Sequence, residues 1–421
     1  MAKNLEEKIC IIGGGPAGLS AAMYLEKKGY KNYTILEKED QVGGKCHSPE
    51  YKGKRYEMGA IMGVPTYFAV NEAMDYCGVT YDGPKLDREF RRLNGQPYNP
   101  FGLITGLKIK SQIKKLGNLL ETKYKGYDKN GHIGTYPDMM LTFDDFCKLN
   151  GVEEIKKIWI NPFTSFGYGF FDEIPTAYVL KYLDMPTTIA FIKKNLWTWK
   201  DGTQSIWERL NDKLQNHARL NTNITNVTRQ NGKVQVYIEG AMEEYDKIII
   251  TAPLQYMPEY FDATPGEKAF FLKITYKDYK VFAFTVKNYP TISGYLPDNM
   301  VPSRLGHVMV YYDRWADSPD QIITAYVLAN HPKQKQVSTD ECRKIVTEDM
   351  KKYGFEPNEH IYERSWYYFP HISVEDYQSG WYDKVESWQG QMSTYYAGEV
   401  MSFGDMDETA QYSKELVERF F

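Results

Sequence analysis

The sequence predicts an α/β protein in which a parallel sheet with a crossover helix is joined to an antiparallel-sheet domain and a helical cap. Three observations predict it: a strand–turn–helix–strand unit near the start, a long stretch of helical periodicity without repeats, and alternating strand patterns downstream. Lys8-Ile9-Cys10-Ile11-Ile12 reads as a short buried strand, followed by glycines and a helix from Ala17 to Lys28. Ala21 and Leu25 mark the packed side of that helix, and Gly29 marks its end. Tyr33-Thr34-Ile35-Leu36-Glu37 is a second strand ending in an acid, which completes the start of a βαβ unit.

From Thr66 to Lys200 the pattern is mainly helical. Leu103, Leu107, Ile113, Leu116 and Leu120 fall near one helical face, with Lys108, Lys110, Lys114 and Lys115 about it. A basic amphipathic helix of this kind either caps a domain with its charges in water or lies on a membrane surface. Trp207 to Leu214 is helical, and alternation returns at Ile224, Val227, Val234, Val236 and Ile238. Tyr245 to Thr251 reads as one buried strand, broken by Pro253. Strands dominate from about Thr264 to Tyr368, at Val281–Val286, His307–Tyr312 and Ile322–Leu328, and a last helix starts near Glu408.

Composition bounds the function. With 42% hydrophobic and 25% charged residues over 421 positions, the chain is globular. A net charge of −4 argues against a nucleic-acid partner. No apolar run is long enough for a transmembrane helix, and the N-terminus lacks a secretory pattern. Five scattered cysteines without a CxxC pair suggest reduced thiols in the cytoplasm, with no disulfide or zinc site. The seven histidines form no ligand pair at helical spacing, so no metal is expected. The 35 tyrosines fit either a cavity for a greasy substrate or extra core aromatics.

Gly13-Gly14-Gly15-Pro16-Ala17-Gly18 matches G-x-G-x-x-G after a strand and before a helix. Gly13 permits the tight turn, Gly15 lets backbone approach a pyrophosphate, and Gly18 lets helix and strand pack closely, with Ala17 in the phosphate-facing first turn. Glu37 stands where an acid accepts hydrogen bonds from ribose hydroxyls. The expected organisation is a discontinuous Rossmann-like nucleotide domain over 1–75, 203–262 and 388–421. A helical cap and substrate entrance spans 76–202, and an antiparallel-sheet substrate domain spans 263–387.

Val42-Gly43-Gly44-Lys45 and Tyr56-Glu57-Met58-Gly59-Ala60 resemble the second half of the FAD motif of the amine oxidase and phytoene desaturase superfamily. In that resemblance Gly44 and Lys45 approach the pyrophosphate and Gly59 and Ala60 the flavin. Asp246 to Pro253 (DKIIITAP) and Ala397-Gly398-Glu399 are similar to two further marks, Glu399 resembling a ribityl or phosphate contact. Val227 resembles the residue whose backbone meets adenine. No second G-x-G-x-x-G is present, so electrons leave the flavin to oxygen or a quinone, or return to the substrate.

Longer segments resemble the bacterial polyunsaturated fatty acid double-bond isomerases almost end to end. They include GGKCHSPEYKGKRYEMGAIMGVP (43–65), WINPFTSFGYG (159–169), AYVLKYLD (177–184), LWTWKDGTQ (196–204), YPTISGYLPDNM (289–300), RLGHVMVYYDRWAD (304–317) and WYYFPH (366–371). Residues from Asn94 to about Lys110 depart from the family pattern, and Asp87 stands where a basic neighbour of Arg88 is expected. The resemblance implies conversion of a free linoleate-class fatty acid to a conjugated diene, the family product being trans-10,cis-12. FAD takes a hydride from the bis-allylic carbon and returns it at another carbon. Arg88 matches the family's substrate entrance, where it meets the carboxylate. Phe166, Tyr168 and Trp197 are expected to wall the reacting carbons, with Phe166 also at the entrance. The alternative is an FAD-dependent oxidase or desaturase on an apolar substrate. Oligomeric state is not indicated.

Overall fold

The structure, a computed structural model, describes residues 4–127, 131–290, 292–316, 318 and 321–421. Thr291 and Asp317, within two of the segments quoted above, lie outside the described residues. Four strands form a parallel sheet in the order Thr394–Tyr396, Lys247–Ile250, Ile9–Ile12, Tyr33–Leu36. The Ile9–Ile12 strand is buried at every position, because it is central in the sheet and helix Pro16–Lys27 packs on it. Helix Pro16–Lys27 opens with proline in its first turn, where a missing N–H costs nothing. It packs beside the final helix, Met406–Phe420, and beside Gln204–Lys213, while Phe68–Cys77 packs against these last two. A three-stranded antiparallel meander, Ile224–Gln230, Lys233–Ile238 and Ala241–Tyr245, lies next in the chain. The single strand expected over Tyr245 to Thr251 is thus two: Tyr245 ends the meander, and Lys247 starts the parallel strand after a turn at Asp246.

The second sheet has six strands, in the order Pro357–His371, Thr275–Val286, Ile323–Leu328, Val310–Asp313, Ser293–Tyr295, Arg88–Phe90. All neighbours are antiparallel except the last pair, which is parallel. The edge strand Arg88–Phe90 comes from the stretch expected to be mainly helical. Within the region where strands were expected to dominate, Thr339–Lys352 is helical; its Cys342, Val346 and Met350 recur every fourth residue and cover one sheet face. Period-two alternation places Tyr279, Tyr326, Tyr312 and Tyr295 on the opposite face of four successive strands. Ring centroids are 5.8 Å apart for Tyr279–Tyr326 and 5.5 Å for Tyr312–Tyr326, and the Tyr295 and Tyr312 hydroxyls are 2.9 Å apart.

Helices Leu103–Thr122, Lys156–Thr164 and Met185–Ile192 line a cavity with Tyr295 at one end of that face, and Tyr182 of Thr176–Tyr182 lines another with Tyr279. The apolar residues of Leu103–Thr122 do not share one face as expected. Ile109, Leu116 and Leu120 are buried, whereas Leu103, Ile104 and Leu107 in the first turns are 82%, 73% and 61% exposed. Among the described residues no helix is long and apolar enough to cross a membrane.

A buried ion cluster ties the meander to the segment after the parallel strand. Arg229 donates from Nε to Asp262 (2.7 Å) and from Nη1 and Nη2 to the two oxygens of Glu267 (2.7 and 2.9 Å). Burial opposes ionisation of Glu267, but the Arg229 fork and the Tyr396 hydroxyl outweigh it and hold the carboxyl at about 2. Arg229→Met removes one side of this cluster, and breaking a buried pair costs roughly 3–5 kcal/mol. A lower urea midpoint is expected. Because the folded carboxyl lies below its ordinary 4.5, its contribution in the unaltered protein is present above that value and lost as pH falls towards 2. The variant should lack this part of the acid transition in denaturation curves taken across pH.

Candidate functional site

At the end of the first strand the chain turns at Gly13, whose φ of +109° a side chain would strain. A Cβ on Gly18 would stand 1.9 Å from the Gly13 carbonyl oxygen, so only glycine lets the helix descend onto the turn. Gly15 caps the helix without a side-chain bond, leaving the N–H groups of its first turn, Ala17 among them, without intrahelical acceptors. A second turn closes over this end: the Gly43 N–H donates to the Gly14 carbonyl (2.9 Å). Gly44 faces Gly15 so closely that a Cβ on Gly44 would stand 3.3 Å from the Gly15 Cα. Gly59 lies against the Lys45 carbonyl, 1.8 Å from where its own Cβ would be, and the Ala60 N–H donates to that carbonyl at 3.0 Å. Glu37 is buried beside the cradle and accepts the Gly14 and Glu39 N–H groups (2.6 and 2.9 Å). Free helix N–H groups, a cradle that any Cβ would fill, and a buried acid at its end fit the pyrophosphate and ribose of FAD.

Lys45 and Glu399 meet at 2.6 Å, and the ammonium sits 5.3 Å from the Tyr368 ring centre. Together with Gly59 and Ala60 they form one wall of a small cavity of about 70 Å³. Its other walls carry Phe166, Tyr168, Tyr182, Tyr279, Tyr368 and Asp405. The Tyr168 ring packs on Phe403 (4.6 Å), Tyr182 (5.0 Å) and Tyr368 (5.6 Å). Burial pushes the phenols of Tyr168, Tyr182 and Tyr279 well above their ordinary range, so they stay neutral. Burial, reinforced by Glu408 and Asp407, raises the Asp405 carboxyl likewise.

A larger cavity, about 680 Å³, is lined by Arg88, Phe101, Ile109, Ile113, Trp159, Leu183, Phe191 and Tyr295 among others. Phe166 on the inner wall and Phe191 on the outer one stand 6.1 Å apart. Arg88 extends from the edge strand between the rings of Phe191 (5.7 Å) and Tyr295 (5.6 Å), and its Nη2 donates to the Phe191 carbonyl at 3.2 Å. The acids on either side are committed elsewhere, Asp87 to Lys85 (3.2 Å) and Glu89 to Arg91 (2.5 Å). Nη1 is buried with no hydrogen-bond partner, an expensive arrangement that a carboxylate could relieve once the Phe191 contact opens.

Three expectations are corrected. Trp197 lines neither cavity; its ring packs on Tyr81 at 4.4 Å and its Nε1 donates to Asn195, because its backbone is bridged to Gly63 at the flank of the cap. Val227 is buried inside its strand, and its carbonyl already accepts the Asp262 N–H (3.0 Å). The chain that reaches Glu37 is Arg219 to Thr222, whose backbone bonds it on both sides, so the strand's first residue, Ile224, stands nearer to it in sequence than Val227 does. Phe166 belongs to the inner cavity, and the ring beside Arg88 is Phe191. Tyr182, Tyr368 and Asp405 escaped notice although they fall in or beside the segments AYVLKYLD, WYYFPH and AGEVMSFG; one strand or helix at a time does not show which of their side chains converge.

Residues 16–404 match the family model described as flavin containing amine oxidoreductase. A crystal structure of a CLA-producing fatty acid isomerase from P. acnes is 54% identical, with a TM-score of 0.98 over 100% of both chains. The polyenoic fatty acid isomerase of Ptilota filicina is 24% identical over 54% of this chain and 51% of its own length, so the chain spans about half of that relative. A putrescine oxidase shares the fold at 14% identity, with a TM-score of 0.73 over 98% of both chains.

Proposed function

The chain belongs to the flavin-containing amine oxidoreductase family, and from that premise we propose that it isomerises a free linoleate-class fatty acid to a conjugated diene, trans-10,cis-12 as in the fatty acid double-bond isomerases that it resembles. The observation that carries this reading is the pairing of two cavities: a small aromatic one against the FAD cradle, and a large apolar one guarded by Arg88. FAD, when bound, supplies a two-electron acceptor that can also give the hydride back. Gly13, Gly15, Ala17, Gly18, Glu37, Gly44, Lys45, Gly59, Ala60 and Glu399 hold it. Phe166 and Tyr168, joined by Tyr182 and Tyr368, present π-faces to a delocalised pentadienyl cation and keep water from trapping it.

Arg88 orients the chain more than it binds it. Burying around ten methylenes is worth roughly 8 kcal/mol, set against an association cost of roughly 4–15 kcal/mol. A charge-assisted hydrogen bond adds only about 1.5–3 kcal/mol. The tunnel therefore supplies most of the affinity, and the carboxylate contact sets which carbon lies against the flavin.

The exposed residues Leu103, Ile104 and Leu107 stand beside Phe101, Gly106 and Lys110, which line the larger cavity, with Lys108, Lys114 and Lys115 on the same helix. This arrangement supports a peripheral contact in which the apolar first turns enter a lipid surface and the lysines meet its anionic headgroups, delivering fatty acid directly to the mouth. Five free thiols fit a cytoplasmic setting and hence the inner face of the membrane.

Incubated anaerobically with linoleate deuterated at the bis-allylic carbon, the yellow protein should form conjugated diene that keeps the label. Complete washout to solvent would replace hydride return with proton chemistry, and oxygen consumption in air without diene would favour the oxidase. Arg88→Ala should raise KM several-fold more than it lowers kcat; an unchanged KM removes the carboxylate anchor. Replacing Leu103, Ile104 and Leu107 together by serine should release the protein from anionic vesicles in a flotation assay while soluble turnover persists.

A further inference from the structure

Asp405 is the one carboxyl lining the small cavity, among the described residues, that no cation neutralises, since Glu399 is paired with Lys45. It caps the final helix: one oxygen accepts the Glu408 N–H at 2.8 Å, an ordinary N-cap bond. The Asp407 N–H also lies against this carboxyl, and the residue belongs to the cavity wall, where the aromatic rings converge. The groups facing it are Asp407 and Glu408 on its own helix, the phenols of Tyr67, Tyr168, Tyr182 and Tyr368 from four other segments, and the Lys45–Glu399 pair across the cavity. The nearest charges are those of Asp407 and Glu408, the latter with Lys181 beyond it at 4.0 Å, and the phenols are neutral, so burial and the two acids favour the uncharged carboxylic acid.

We propose that the protonation state of Asp405 decides whether a chain held in this cavity is isomerised or desaturated. The inference rests on the hydride reading above. Once a hydride has left the bis-allylic carbon, the pentadienyl cation has two exits. In one, the hydride returns to a different carbon of the same chain and the net reaction is redox-neutral. In the other, a base removes a proton from the carbon flanking the cation. That C–H pair becomes a third conjugated double bond, the proton goes to the base, and FAD keeps the two electrons. A carboxylic acid has no free charge to take that proton, and the Glu399 carboxylate is held by Lys45, so hydride return is the favoured exit. An ionised Asp405 would be the base, and it would sit in a low-dielectric pocket beside a cation, where its charge acts strongly. The carboxyl that caps the helix thus also protects the isomerase outcome.

Burial and the neighbouring acids hold the group protonated well past the ordinary aspartate range, so the change is expected on the alkaline side. The test is the holoenzyme with linoleate, without oxygen, from neutral to alkaline pH, following diene absorbance, triene absorbance and the visible colour of the bound flavin. In the unaltered protein, diene alone is expected at neutral pH. At alkaline pH, triene should appear in step with bleaching of the flavin, up to the amount of flavin present. Asp405→Asn still caps the helix but cannot ionise, so its triene and bleaching should be absent at every pH. If the asparagine variant binds no flavin, Asp405→Ser, another capping residue, takes its place. Triene in the variants at the same pH as in the unaltered protein, or no triene from either, overturns the Asp405 assignment alone. No diene at neutral pH overturns the isomerase reading instead.

Discussion

The pairing of Ser293–Tyr295 with Arg88–Phe90 holds the two cavities in relation to each other. One short parallel ladder joins a segment of the helical region to the six-stranded sheet, with Ser293 opposite Arg88. Because side chains alternate along a strand, this register puts Arg88 next to the row formed by Tyr295, Tyr312, Tyr326 and Tyr279. The row runs from the larger cavity, where Tyr295 is exposed to the chamber, to the smaller one, where Tyr279 is. A slip of one residue would turn every ring to the face that Cys342, Val346 and Met350 already cover. The distance from the guanidinium to the cofactor cradle is therefore a property of sheet register.

Charge is rationed along this path. Lys45 cancels Glu399 at the cradle, the phenols are kept neutral by burial, and the Asp405 carboxyl is pushed well above its ordinary range by burial and by Glu408 and Asp407. Arg88 remains, its fork between two rings and its flanking acids paired with Lys85 and Arg91. In a dry cavity a stray charge would either hold the cation fast or quench it, since Coulomb terms there are many times those in water. The Arg229–Asp262–Glu267 cluster shows the opposite use of charge in the same chain: there, ions are buried but fully matched, and their effect is structural.

The glycine fingerprint was readable because its requirement is local. Gly13 must adopt a positive φ and Gly18 must carry no Cβ, and both follow from a strand turning directly into a helix. Glu37 followed from the length of the same unit. The first two strands and the final helix were readable to within a few residues for the same reason. Helix Leu103–Thr122 was recognised, but its face was misjudged: the spacing of leucines cannot tell that packing against Glu153–Ile155 and the chamber twists the buried stripe away from the first two turns. Trp197 looked like a wall residue by its company in LWTWKDGTQ, yet its backbone bridge to Gly63 turns the ring to Tyr81. Val227 was placed at the adenine by resemblance, and its carbonyl is spent on the Asp262 N–H.

The sequence by itself determined the cofactor cradle, the α/β class and the family chemistry, because each depends on residues close together in the chain or on long matching strings. Tertiary structure alone decided which tyrosines share a cavity, that Phe191 and not Phe166 stands over Arg88, and that Asp405 lines the cavity with those tyrosines. Tyr168, Tyr182, Tyr279, Tyr368 and Asp405 come from five separate segments. Their meeting is set by sheet register and helix packing, which are sums over the whole core and leave no local signature.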